Sequence, residues 1–225
     1  MRDLDPSVFQ STGWLAQTPS AFREAVLSRC DLIQVSPGEA LYHAGDEAGG
    51  LYGVVEGEME AHLHPHGDAP TLLHILRPGF WTGEFATATG QPRLIALVAR
   101  TECRVLRLTR AEFLRLAEEN PLAWQFLAQL AIQNLVRTVG IITALRHDRA
   151  PARLALTLAN LARETGARPA VLHLSQAELG VMAQMSRGAV NAALAQIEAR
   201  GLIRRDYAAV TVPDPEALVR FADTG

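Results

Sequence analysis

Residues 174–203 read LSQAELGVMAQMSRGAVNAALAQIEARGLI and carry two helix-start signals in close succession. Ser175 with Glu178 three positions on makes a capping box, so a helix opens there, with Ala177, Leu179, Val181 and Met182 as its apolar contacts. Ser186 caps a second helix whose apolar face is Val190, Ala193, Leu194 and Ile197 and which closes at Arg200-Gly201. Two helices joined by the short turn Gln184-Met185 predict a helix-turn-helix, a unit that lays the start of its second helix in the major groove of DNA.

The outer face of the second helix has the chemistry for that task. Arg187, Gly188 and Asn191 lie away from the apolar stripe, and Arg and Asn are the side chains that pair bidentately with guanine and adenine. Ser175, Gln176 and Ser186, at the two helix starts, complete the set of expected DNA contacts on the helices. Beyond Gly201, LIRRDYAAVTV predicts two short strands around a turn, with Arg204 and Arg205 where a wing would meet phosphates.

The same stretch resembles the DNA-binding motif of the cyclic-AMP receptor and fumarate-nitrate-reduction regulator (Crp/Fnr) family. In that family Ser-Arg-x-x-Val opens the recognition helix, matched here by Ser186, Arg187 and Val190, and Asn after the Val is a common variant, matched by Asn191. Two positions depart. Gly188 stands where the family usually has Glu or Gln, which implies a different half-site, and Gln184 stands where its turn usually has Gly, which requires a left-handed or altered turn.

A length of 225 residues with 48% hydrophobic content accommodates two small cores. The formal net charge of −3 is unevenly distributed: residues 151–205 hold seven arginines against three glutamates, so the positive charge sits with the motif. Every Lys/Arg position is Arg, a matter of coding bias. Cys30 and Cys103 are far apart and lack metal-ligand spacing, so neither a disulfide framework nor an Fe-S cluster is expected. MRDLDPSVFQ lacks the apolar core of a signal peptide, and the apolar stretch 124–145 is interrupted by Gln129, Gln133, Asn134 and Arg137. A cytoplasmic protein without a membrane segment is expected.

Residues 7–30 predict one or two helices, with Pro6 before the first. From Asp31 to Leu108 the short runs LIQV, LYGVV, EMEAHLH, TLLHIL, LIALVA and CRVLRL are separated by turns at Pro37-Gly38, Gly45-Asp46, Glu56-Gly57 and Pro78-Gly79, which indicates an antiparallel barrel or sandwich. The order PGEALYHAGD, LYGVVEG, LRPGFWTGE resembles the cyclic-nucleotide-binding β-roll, and GEFATATGQPR (83–93) resembles the family's phosphate-binding cassette. The resemblance implies a ligand site at Gly83, Glu84 and Arg93: helix amides and Arg93 for a phosphate, Glu84 for a ribose hydroxyl. Cyclic-nucleotide binders follow the Arg with Ser or Thr. Here it is Leu94, which removes a donor and puts a branched apolar side chain in its place, so cyclic AMP is not expected as the effector.

His62, His64, His66 and His74 raise a rival reading, a cupin-like metal-dependent enzyme. Alternation opposes it: Met59, Ala61 and Leu63 form the apolar face of EMEAHLH, leaving His62 and His64 on the solvent face with Glu58 and Glu60, before a turn at Pro65-His66-Gly67-Asp68. No metal site and no catalytic residue is expected.

Thr109 and Glu112 form a capping box for a helix that breaks at Asn120-Pro121. In the long helix that follows, Trp124, Ala128, Ala131, Leu135, Thr138, Ile142 and Leu145 recur at alternating spacings of four and three, a seam suited to a second copy of itself, while Leu127, Leu130 and Ile141 face the roll. In the family this helix also completes the ligand pocket, where Thr138 matches a base-contacting position and the next, usually Ser or Thr, is Val139. His147–Pro151 is the expected hinge, ARLALTLANLARETGA a helix, and DPEALVRFAD a final helix opened by Asp214-Pro215.

The expected fold is therefore α+β: an antiparallel β-roll with flanking helices over 1–120, a dimerisation helix over 121–147 and a winged helix-turn-helix over 148–225. The expected function is a homodimeric, sequence-specific transcription regulator of a palindromic site. Its partners would be double-stranded DNA, a second copy of itself and, for an activator, RNA polymerase. A cyclic-nucleotide-responsive regulator is the alternative within the family.

Overall fold

Gly38, Gly45, Gly57 and Gly79, one in each turn expected between the apolar runs, all have positive φ (82°, 90°, 83° and 93°). Only glycine adopts that backbone without strain, so these four positions fold the N-terminal half into short strands. The computed structural model describes residues 7–63 and 70–224; Pro6, His64, His66 and the turn at 65–68 lie outside the described residues.

Three short helices come first, α1 (Val8–Ser11), α2 (Gly13–Ala16) and α3 (Ser20–Leu27), rather than one or two. Eight strands and one helix follow: β1 (Asp31–Val35), β2 (Ala40–Tyr42), β3 (Gly50–Glu56), β4 (Met59–Leu63), β5 (Thr71–Leu76), β6 (Trp81–Thr82), α4 (Glu84–Thr89), β7 (Ala96–Ala99) and β8 (Cys103–Thr109). They form two antiparallel four-stranded sheets, ordered β1-β8-β3-β6 and β2-β7-β4-β5. One core lies within the roll, on Val35, Tyr42, Val54, Met59, Leu97 and Val105. A second, richer in aromatics, joins the N-terminal helices to the roll: Trp14 and Trp81 sit edge to face at 5.7 Å, and Trp14 Nε1 donates to the Phe126 carbonyl at 2.7 Å. Burial pushes the Cys30 thiol up to about 12, with the Asp31 charge adding to it, and burial raises Cys103 as well, so neither is poised as a thiolate.

Two expectations fail on β4. A register shift between Ala61 and His62 interrupts the alternation, and Leu63 is 40% exposed instead of facing the core. Glu58, Glu60 and His62 are not free in solvent either. Arg100 and Arg77 reach Glu58 at 2.7 and 3.1 Å and His62 Nε2 lies 2.9 Å from Glu60, so the arginines of neighbouring strands half-bury this face in ion pairs. His74 is buried beside Phe80. Among the described residues no three His, Cys, Asp or Glu side chains converge as a metal-binding group.

The helix α5 (Arg110–Glu119) starts on Thr109, whose hydroxyl accepts from the Glu112 amide at 3.2 Å. The helix α6 (Ala123–Leu145) is, by length and composition alone, long and apolar enough to cross a membrane, in spite of its polar interruptions. Three of the four interruptions have protein partners: Gln133 meets Gln17 at 2.8 Å, Asn134 meets Glu84 at 2.9 Å and Arg137 lies 3.8 Å from Glu164. Leu127 and Leu130 are buried in the aromatic core as expected, whereas Ile141 is only half-buried. Trp124, Ala128, Ala131, Leu135, Thr138 and Ile142 are exposed and Leu145 half-buried, so the predicted seam faces outward, flanked by exposed Ile132, Val136 and Val139.

The chain divides into two compact units, 1–134 and 135–225, with the division inside α6. After α6 the second unit contains α7 (Ala150–Thr165), β9 (Ala170–Leu172), α8 (Gln176–Ala183), α9 (Arg187–Ala199), β10 (Arg204–Asp206), β11 (Ala209–Val212) and α10 (Pro215–Thr224). Pro151 belongs to the first turn of α7 and not to a hinge, since at that position its missing N–H would have had no helical partner. The strand β9, absent from the sequence expectation, pairs with β11 to give a three-stranded sheet ordered β10-β11-β9.

Candidate nucleic-acid interface and anion cradle

Capping fixes where both motif helices begin. Ser175 Oγ accepts from the Glu178 amide at 3.2 Å while Glu178 Oε2 accepts from the Ser175 amide at 2.6 Å, and Ser186 Oγ accepts from the Ala189 amide at 3.2 Å. Between the helices Gln184 is left-handed (φ 51°, ψ 53°), the first of the two alternatives for a turn without glycine. The Met185 amide returns to the Gly180 carbonyl at 2.8 Å, and a Cβ on Gly180 would come within 2.8 Å of the Met185 carbonyl oxygen. The glycine that this motif needs thus sits at position 180, where the turn folds back on the helix. Leu179, Gly180, Met182 and Ala183 are the buried side of α8; Ala177 and Val181 face outward, one turn apart on the opposite side.

On α9 the stripe Val190, Ala193, Leu194 and Ile197 is fully buried, leaving Arg187 and Gly188 exposed and Asn191 half-buried. Arg187 makes no ion pair among the described residues, and a Cβ on Gly188 would meet nothing within 4 Å, so the first turn is open to an incoming ligand. The wing arginines are differently placed. Arg205 donates from Nε to Glu198 Oε2 at 2.6 Å and from its amide to Glu198 Oε1 at 2.8 Å, and Arg204 pairs with Asp206 at 3.3 Å. The hydrogen bonds from Arg205 hold the Glu198 carboxyl below the usual carboxylate range. The positive excess also shrinks once the whole segment is counted: residues 151–225 hold eight arginines and seven acids. A groove of about 540 Å³ runs between the helix starts and the wing, lined by Ser175, Gln176, Arg187, Arg205, Tyr207 and Val210 among others.

The N-terminal unit brings Gly83, Glu84 and Arg93 together; Thr138, the fourth predicted ligand residue, is exposed on the part of α6 that belongs to the other unit. Gly83, at φ 100°, starts α4. Arg93 is 5% exposed, with Nη2 donating to the Gly50 carbonyl at 2.8 Å and its guanidinium 4.5 and 5.0 Å from the ring centres of Tyr42 and Tyr52. Glycine is needed at 83 because of its positive φ and because a Cβ would come within 2.4 Å of the Gly50 carbonyl oxygen, with Arg93 Nη1 at 2.7 Å. Nη1 is buried without a hydrogen-bond partner, and Arg93 forms no ion pair with Glu84. Glu84 instead accepts from Asn134. Burial raises the Tyr42 hydroxyl above its ordinary range, against the pull of the Arg93 charge. Leu94 is 64% exposed, so it does not fill the cradle as expected, but it supplies no hydroxyl. Tyr42, Tyr52 and Asn134 were not foreseen as parts of this site; nothing local in the sequence ties them to a cassette so far along the chain.

Residues 32–120 match the family model of the cyclic nucleotide-binding domain and residues 152–221 that of the Crp-like helix-turn-helix domain. A CRP-like cAMP-activated global transcriptional regulator of Mycobacterium tuberculosis is 27% identical over 209 residues, 91% of this chain and 93% of its own. The cAMP-activated global transcriptional regulator CRP of Escherichia coli is 28% identical over 186 residues, 80% and 88% of the two chains. Among solved structures, a CRP-family transcriptional regulator of Thermus thermophilus aligns with a TM-score of 0.64 at 27% identity, covering 86% of this chain and 97% of that one.

The left-handed Gln184 makes the turn a place where stability can be gained. Because an L side chain pays for this conformation and glycine does not, Gln184→Gly is expected to stabilise the C-terminal unit by about 1 kcal/mol, read as a raised urea midpoint with an unchanged slope. A lowered midpoint would mean that the Gln184 side chain contributes more than its backbone costs.

Proposed function

The chain belongs to the Crp/Fnr family of transcription regulators, and from that premise we propose that it reads a palindromic DNA site as a homodimer, without cyclic AMP as its effector. One observation carries the DNA reading: a capped, clamped helix presents on its first turn an exposed arginine that makes no ion pair among the described residues. Arg187 and Asn191 are assigned to bases, with Ser175, Gln176, Ser186 and Gly188 lining the approach to the backbone. Arg204 and Arg205 are assigned a smaller share, since acids already hold both. The protein acts in the cytoplasm by binding and not by catalysis, and RNA polymerase is its further partner where it activates.

The exposed seam on α6 supports the dimer. Large apolar side chains left in water along one helix face are stabilised by a partner of the same shape, and two-fold pairing also matches two half-sites about 34–36 Å apart. The cradle supports the negative statement on cyclic AMP. Arg93 and the α4 amides can meet a phosphate, yet Leu94 and Val139 bring no hydroxyl, and an anion with too few donors does not recover its hydration.

With a site selected from random DNA, Arg187→Ala is expected to lose about 1–3 kcal/mol of binding and to relax preference at one position per half-site, and Asn191→Ala to do so at another. Unchanged binding by Arg187→Ala would remove the recognition-helix assignment. Sedimentation of Leu135→Glu should show monomers, because two carboxylates would be buried against each other; an intact dimer would put the interface elsewhere. Calorimetry should find no cyclic AMP binding tighter than about tens of micromolar, with Leu94→Ser strengthening what remains. Binding at low micromolar levels that shifts DNA affinity would refute the effector statement.

A further inference from the structure

Tyr207, at the tip of the β10–β11 hairpin, is 100% exposed. The next residue, Ala208, has a φ of 51°, so the hairpin accepts a strained turn at the point where it holds the ring out. Behind the tip, Arg205 is bound to Glu198 of α9 and Arg204 to Asp206. The first pair fixes the wing to the recognition helix, and the two together cancel the charge with which a wing would attract phosphates. What remains for the wing to offer is a neutral ring with a hydroxyl at its end. Tyr207 also lines the groove of about 540 Å³ that Arg187, Ser175 and Gln176 line from the helices.

We propose that Tyr207 is a DNA contact of the wing. Its ring packs on a deoxyribose of the strand lying in this groove and its hydroxyl donates to a phosphate, a type of contact that positions a protein on the duplex without reading bases. The inference rests on the DNA-binding reading above. Because a neutral donor releases no counterion, the contact adds affinity without adding salt dependence.

The test is fluorescence anisotropy on the selected operator across a range of salt concentrations. Tyr207→Ala should weaken binding about three- to tenfold, with the slope of log affinity against log salt unchanged, and Tyr207→Phe should fall between it and the parent. Since the side chain is fully exposed, thermal unfolding of both variants should match the parent. Parental affinity in Tyr207→Ala, while Arg187→Ala loses the operator, would overturn this proposal and leave the DNA reading standing. So would unchanged affinity with loss of transcription in a reconstituted system, which would assign the ring to a protein partner. A parent chain that selects no DNA would overturn both.

Discussion

Val190, Ala193, Leu194 and Ile197 on α9 are each no more than 2% exposed, and the aim of the recognition helix depends on their burial. The opposing wall comes largely from α7, where Leu154, Leu158 and Leu161 are buried as well. Full burial of a Val, Leu or Ile contributes roughly 1.5–3 kcal/mol, far more than any hydrogen bond that an exposed arginine could make with its own helix. Since each residue turns an α-helix by about 100°, fixing this stripe fixes the direction of every other side chain on it. Arg187 therefore faces outward as a consequence of core packing, and the Glu198–Arg205 pair at the other end of the helix carries the same orientation into the wing.

Short-range chemistry made the C-terminal unit legible from sequence. Both caps follow from interactions within four residues and the α9 stripe from spacing along one helix face, signals that survive without knowledge of the fold, whereas sequence alone leaves the turn at Gln184 open between two alternatives. Most of the errors originate in contacts between distant residues. One shifted register on β4 exposed Leu63, and arginines from neighbouring strands drew Glu58 and Glu60 out of solvent. The strand β9 is too short to signal itself and exists because β11 offers it a ladder. The wing arginines appear free in sequence because Glu198, the acid that holds Arg205, sits on another element, while the Arg204–Asp206 pair lies within β10 itself.

In the cradle around Arg93 the sequence marks Gly83, Glu84 and Arg93 but neither the two tyrosines nor the arrangement of the whole. A guanidinium that is 95% buried and has no carboxylate partner among the described residues has to be compensated, and here a carbonyl and two tyrosine rings do so. An anion entering the site would meet a cation that already has neighbours, with one buried nitrogen left to offer. Retention of the cassette's glycine and arginine is thus compatible with a structural role, and motif matching alone does not separate that role from ligand binding.

The apolar face of α6 has a consequence for dosage. Ile132, Leu135, Val136, Val139 and Ile142 are all more than half exposed in a single chain, so in the dimer proposed above their removal from water is tied by mass action to how much protein is present. Where dimers are scarce, their number rises with the square of the concentration of chains. In that proposed dimer, operator occupancy then climbs more steeply than protein abundance does, and a modest change in synthesis or turnover becomes a threshold response that needs no small molecule.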